Sequence, residues 1–115
     1  MPRILIVDDD PETSLLLSDL LTELGYETLG PAHSVSAALA LLDDSRPDAA
    51  ILDVRLEAED SYPVADRLVS ENVPFMFATG YGGETIPERF VGARLLPKPF
   101  GFAVVQSAVA DLLKP

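Results

Sequence analysis

The chain has 115 residues, 48% of them apolar, no cysteine, and a formal charge of −11 from 19 acidic and 8 basic residues. That length suits one domain, expected to span 1–115 without a separate output domain, and the apolar content argues against disorder. The composition excludes disulfides, thiolate metal sites and thiol catalysis, and the acidic balance argues against nucleic acid or an anionic membrane surface as partners.

Arg3 to Val7 is a short Ile- and Val-rich run that runs into Asp8-Asp9-Asp10. It reads as a strand buried on both faces. Asp10-Pro11-Glu12 has the form of a helix start, with Asp as cap, Pro in the first turn and an acid beside it. Leu16, Leu17, Leu20, Leu21 and Leu24 follow at helical spacing, and Gly25 ends the helix. Tyr26 to Leu29 is a weaker strand, followed by Gly30-Pro31. Ser34 to Leu42 is predicted helical, with Val35, Leu39 and Leu42 inward, and Arg46-Pro47 breaks it.

Ala49 to Leu52 is a second short apolar run, ended by Asp53. Arg55 to Ser61 reads as a polar loop, and Pro63 to Val69 as a helix with Val64, Leu68 and Val69 inward. Pro74 to Ala78 is an apolar strand reaching Thr79, and Gly80, Gly82 and Gly83 make a loop. Ile86 to Phe90 holds one or two helical turns at most. Ala93 to Leu96 is a last strand running into Pro97-Lys98-Pro99, and Phe102 to Leu113 is a closing amphipathic helix. Its stripe of Phe102, Val105, Val109, Leu112 and Leu113 reads as core and partner-facing surface. Arg67, Arg89 and Arg94 read as solvated, and the lone His33 as a polar surface residue of a loop. No apolar run approaches the roughly 18 residues that span a bilayer, and no signal-peptide pattern is present, so a cytoplasmic location is expected.

Strands alternating with helices predict a doubly wound α/β fold, a parallel sheet covered on both faces. In such sheets the ligand site lies beyond the carboxyl ends of the strands. Asp8 and Asp9, Asp53, Thr79 and Lys98 all follow strand ends and are expected to converge there. Three close carboxylates need a cation or raised pKa values, and hydrated oxygen donors suit Mg²⁺. One acid suffices for the helix cap, which is the role expected of Asp10. A carboxylate such as Asp53 can attack phosphorus to give an aspartyl phosphate. The Lys98 ammonium, the Thr79 hydroxyl and a metal ion would then neutralise the phosphoryl oxygens.

These residues resemble response regulator receiver domains over essentially the whole chain. The resemblance rests on Ile4-Leu5-Ile6-Val7-Asp8-Asp9, Ile51-Leu52-Asp53-Val54, Ala78-Thr79-Gly80 and Pro97-Lys98-Pro99-Phe100. It implies a flavodoxin-like sheet of five strands in the order 2-1-3-4-5, with about five helices. It also implies Asp53 as phosphoacceptor and Asp9 as direct Mg²⁺ ligand. Asp8 would be a ligand through water, and Arg55 a ligand through its backbone carbonyl. Thr79 and Lys98 would contact the phosphoryl group. The implied donor is a phosphohistidine on a sensor histidine kinase or a histidine phosphotransfer protein; the downstream protein is unknown and a homodimer is compatible. Pro74-Phe75-Met76-Phe77-Ala78-Thr79-Gly80-Tyr81 is further similar to a Phe-Ala-Thr-Gly-Tyr subclass, often stand-alone or attached to kinases.

Two departures stand out. Receivers usually carry an aromatic switch residue three positions before the lysine, where this chain has Leu95; Tyr81 is the candidate replacement. The stretch from Thr79 to Lys98 is short, so the fourth helix is expected to be stunted, and phosphorylation is expected to order residues 80–90. Two other readings compete with a receiver. A Mg²⁺-dependent phosphohydrolase is disfavoured because Asp53 is followed by Val54-Arg55 rather than by an acid two residues on. A pseudo-receiver is disfavoured by the intact Asp9, Asp53, Thr79 and Lys98 set.

Overall fold

A computed structural model describes residues 1–56, 58–80, 86–90 and 92–114. The strands that frame the fold are β1 (Arg3–Val7), β2 (Glu27–Ala32), β3 (Ala49–Asp53), β6 (Phe75–Thr79) and β7 (Arg94–Pro97). They form one parallel sheet in the order β2-β1-β3-β6-β7. This is the expected 2-1-3-4-5 arrangement once two short strands, β4 (Arg55–Leu56) and β5 (Glu59–Asp60), are counted in chain order.

Both faces of the sheet are covered. Leu5, Val7, Ala50, Leu52 and Phe77 point to one side, where α2 (Val35–Asp44) and α3 (Tyr62–Ser70) supply Ala38, Leu42, Val64 and Leu68. Ile4, Ile6, Ile51, Met76 and Leu96 point to the other, onto Leu17 and Leu21 of α1 (Pro11–Glu23) and Val105 and Val109 of α4 (Phe102–Leu112). Because successive residues feed opposite cores, the central strands carry unbroken apolar runs, Ile4 to Val7, Ala49 to Leu52 and Phe75 to Ala78, instead of alternating.

Local chemistry fixes the helix starts. The Asp10 carboxylate accepts the Glu12 N–H at 3.2 Å and Pro11 opens α1. Ser34 Oγ accepts the Ala37 N–H at 3.1 Å and opens α2. Gly25 follows α1 at φ +92°, the left-handed region that ends helices.

Three expectations need correction. Strand β2 does not stop at Leu29 but continues through Gly30-Pro31 to Ala32. Its register against β1 shifts between Leu5 and Val7, and Gly30 at φ +94° absorbs the extra residue. Proline is tolerated because β2 is an edge strand. The polar stretch 55–61 is not plain loop: β4 and β5 pair antiparallel, and Leu56 is buried. Val69 is 56% exposed instead of inward. The fourth helix is stunted as expected: between β6 and β7 the described residues hold a single 3₁₀ turn, Glu88–Phe90, beside four α-helices elsewhere. Tyr81, Gly82 and Gly83 lie outside the described residues, so the expectations placed on them do too. No helix among the described residues is long and apolar enough to cross a membrane.

Candidate functional site

Four of the five strands of the sheet bring polar groups to the same end. β1 runs into Asp8 and Asp9, β3 ends on Asp53, β6 ends on Thr79, and β7 leads into Lys98. Because β1 and β3 are neighbours in register, with Val7 opposite Leu52, the acids that follow them become adjacent. Asp8, Asp9 and Asp53 each place a carboxylate oxygen within 4.8 Å of the others. Lys98 Nζ stands 3.2 Å from Asp53 Oδ2 and 3.8 Å from Asp8 Oδ2.

The lysine is delivered by the edge of the sheet. Thr79 pairs with Pro97, and the Lys98 backbone N–H donates to the Thr79 carbonyl at 2.8 Å. Thr79 is half-buried at the end of β6. Arg55, two positions after Asp53, is exposed and opens β4 opposite Asp60.

The electrostatics follow from burial. Asp8 is 2% exposed, and burial pushes its carboxyl from 3.8 up to about 6. The Asp10 N–H, which donates to Asp8 Oδ1 at 2.9 Å, and the Lys98 ammonium pull the other way; the Asp53 and Asp9 carboxylates add to the rise. Asp10 behaves as the expected cap: the Thr13 hydroxyl donates to it and holds its carboxyl below the ordinary range. Three clustered carboxylates with one ammonium form a hard oxygen donor set with surplus negative charge, which fits a hydrated divalent cation held by Asp8, Asp9 and Asp53. The donor set also fits a tetrahedral oxyanion seated between that cation and Lys98.

Other side chains depart from their sequence reading. His33 is exposed, yet its Nδ1 lies 2.8 Å from the Asp8 carbonyl oxygen. The contact arises because β2 runs on to Ala32, which sets His33 beside the end of β1. Arg67 pairs with Asp43 and Glu71, Arg89 pairs with Asp66 and stacks on Phe90, and Arg94 pairs with Asp111, so the three arginines tie elements together.

Residues 4–110 match the family model of the response regulator receiver domain. The solution structure of SdrG from Sphingomonas melonis Fr1 is 41% identical and superposes with a TM-score of 0.88, covering 99% of this chain and 98% of that one. The BeF3-activated conformation of SdrG from Pseudomonas melonis Fr1 gives 40% and 0.84, covering 97% and 96%. Sporulation initiation phosphotransferase F of Bacillus subtilis (strain 168) is 31% identical over 96% of this chain and 93% of its own length. The transcriptional regulatory protein CpxR of Klebsiella pneumoniae is 35% identical over 99% of this chain but only 50% of its own length. The chain thus spans about half the length of several curated relatives it matches.

Proposed function

The chain belongs to the response regulator receiver domain family, and from that premise we propose that it accepts a phosphoryl group on Asp53 from a phosphohistidine, with Mg²⁺ bound at Asp8, Asp9 and Asp53. The observation that carries this reading is the Asp53 carboxylate 3.2 Å from the Lys98 ammonium, inside a cluster of three acids at the strand ends.

In the step proposed, an Asp53 oxygen attacks phosphorus. The bond from phosphorus to the donor imidazole nitrogen breaks, its electron pair stays on that nitrogen, and the nitrogen takes up a proton from solvent water. The product is an acyl phosphate that water later hydrolyses. Lys98 balances charge on the phosphoryl oxygens, and Thr79 supplies a hydroxyl beside them. Mg²⁺, when bound, supplies positive charge at the phosphoryl oxygens and relieves the repulsion among the acids. The Arg55 backbone carbonyl completes the ligand set in this reading, and Tyr81 takes the switch role that Leu95 cannot fill.

The donor is a sensor histidine kinase or a histidine phosphotransfer protein, and the output is a protein contact, onward phosphotransfer, or drainage of phosphate from the kinase. The near-complete overlap with SdrG and with phosphotransferase F supports reading residues 1–115 as one receiver domain. A cytoplasmic location, a possible homodimer and no nucleic-acid contact complete the proposal.

Incubation with acetyl phosphate and Mg²⁺, followed by intact mass measurement, tests it. One added phosphoryl group is expected, absent in Asp53→Asn and absent with a chelator. Absence of the adduct in the unaltered chain overturns the proposal, and continuous release of inorganic phosphate at high turnover points instead to a phosphohydrolase.

A further inference from the structure

The two acids that follow β1 stand beyond the end of the strand, where the sheet no longer fixes the backbone for them. Asp8 still gets one ladder bond, its N–H donating to the Ala32 carbonyl at 3.0 Å. After Ala32 the neighbouring chain leaves the sheet, because Ser34 turns to cap α2. The Asp8 carbonyl, the next group in line, is met by the His33 side chain, Nδ1 to oxygen 2.8 Å. A carbonyl only accepts, so Nδ1 carries the hydrogen and the ring tautomer is set.

We propose that His33 is a positioning residue for the metal site: by holding the Asp8 carbonyl it fixes the Asp8–Asp9 peptide plane, and so aims both carboxylates at one ion. This rests on the reading of the strand-end acids as the Mg²⁺ site. Asp8 is then held at three points: its N–H by Ala32, its carbonyl by His33, and its carboxylate by the Asp10 N–H. A peptide plane free to rotate would carry the Asp9 side chain away from Asp53. Pre-organisation of ligands by groups outside the ligand set is how proteins raise metal affinity.

His33 is itself anchored on both sides. Ala32 pairs with Val7 across the sheet. On the other side, the Val35 N–H donates to Glu59 Oε2 at 3.0 Å. Glu59 belongs to the β4–β5 hairpin that follows Asp53. The imidazole therefore joins the Asp8–Asp9 half of the cluster to a segment held by the Asp53 half.

The test uses the full chain and Mg²⁺ alone, followed by amide chemical shifts. His33→Ala and His33→Gln are expected to raise the Mg²⁺ Kd about threefold to tenfold. His33→Asn, whose amide nitrogen occupies the place of Nδ1, is expected to stay within about twofold of the unaltered chain. Nitrogen-15 spectra of the unaltered ring need no substitution and are expected to show the Nδ1–H tautomer. An Nε2–H tautomer overturns the proposal, as do equal Mg²⁺ affinities across all three variants, or Asn falling as far as Ala. An unaltered chain that binds no Mg²⁺ but shows the Nδ1–H tautomer overturns the reading of the acid cluster, and the positioning role with it.

Discussion

A carboxyl buried to 2% exposure next to two others is an uncomfortable resident of a protein interior, and Asp8 shows its discomfort in a pKa of about 6. The folded state then holds the Asp8 proton more tightly than the unfolded chain. Stability from this group is therefore lost as pH rises from about 4 to about 6 and stays lost above that. In the presence of a chelator, Asp8→Asn is expected to gain on the unaltered chain by on the order of 1–3 kcal/mol between pH 4 and pH 7. Urea unfolding at the two pH values reads this, and a pH-independent difference contradicts it. Saturating Mg²⁺ should cancel the gain, because the bound cation then favours the ionised carboxylate of the unaltered chain. The acids and Lys98 were legible in the sequence because each sits directly after an apolar run, where a parallel sheet puts its ligand groups. His33 was not legible, because its partner is a backbone carbonyl, which has no sequence signature.

At the level of elements, the two glycines at positive φ carry different loads. A Cβ at Gly25 would meet nothing within 4 Å, whereas one at Gly30 would lie 2.7 Å from the Ala32 nitrogen and 3.0 Å from the Ile6 oxygen. Gly25→Ala is therefore expected to cost about 1 kcal/mol, the left-handed backbone alone, and Gly30→Ala roughly 2–4 kcal/mol. Urea midpoints give both, and equal losses would show that β2 yields at its bulge. The same bulge explains why the end of β2 was misjudged from sequence. Gly-Pro is a turn signal everywhere except on an edge strand, and edge status is a property of the assembled sheet. Leu56 was missed for a related reason: a single apolar residue in a polar stretch shows no period. The short connection after β6 was legible as one that has no room for a full helix, and a single 3₁₀ turn is what the described residues hold there.

Taken as a whole, the molecule is organised around Phe77, fully buried in the middle of the sheet and in edge-on contact with Tyr62, Phe75 and Phe90. It touches the strand layer, α3 and the 3₁₀ turn together. Phe77→Ala is expected to cost about 3–5 kcal/mol, a large share of the 5–15 kcal/mol typical of a domain, read as a fall in urea midpoint. A loss under 1 kcal/mol would mean that the neighbouring rings close the gap. The overall architecture was legible because strand, helix and turn signals agreed along most of the chain. The charge of −11 has a kinetic consequence of its own. The molecule measures 34 × 30 × 29 Å, so at about 0.01 M salt, where screening acts over about 30 Å, an anion nearing the strand ends feels every surplus acid on the protein. At about 0.15 M it feels only the charges within about 8 Å, the Lys98 ammonium among them. Small anionic donors should thus react faster as salt is added at fixed Mg²⁺, the reverse of ordinary steering. The protein's own field then acts as a brake on stray metabolic phosphates, one that a donor seated by direct contact escapes.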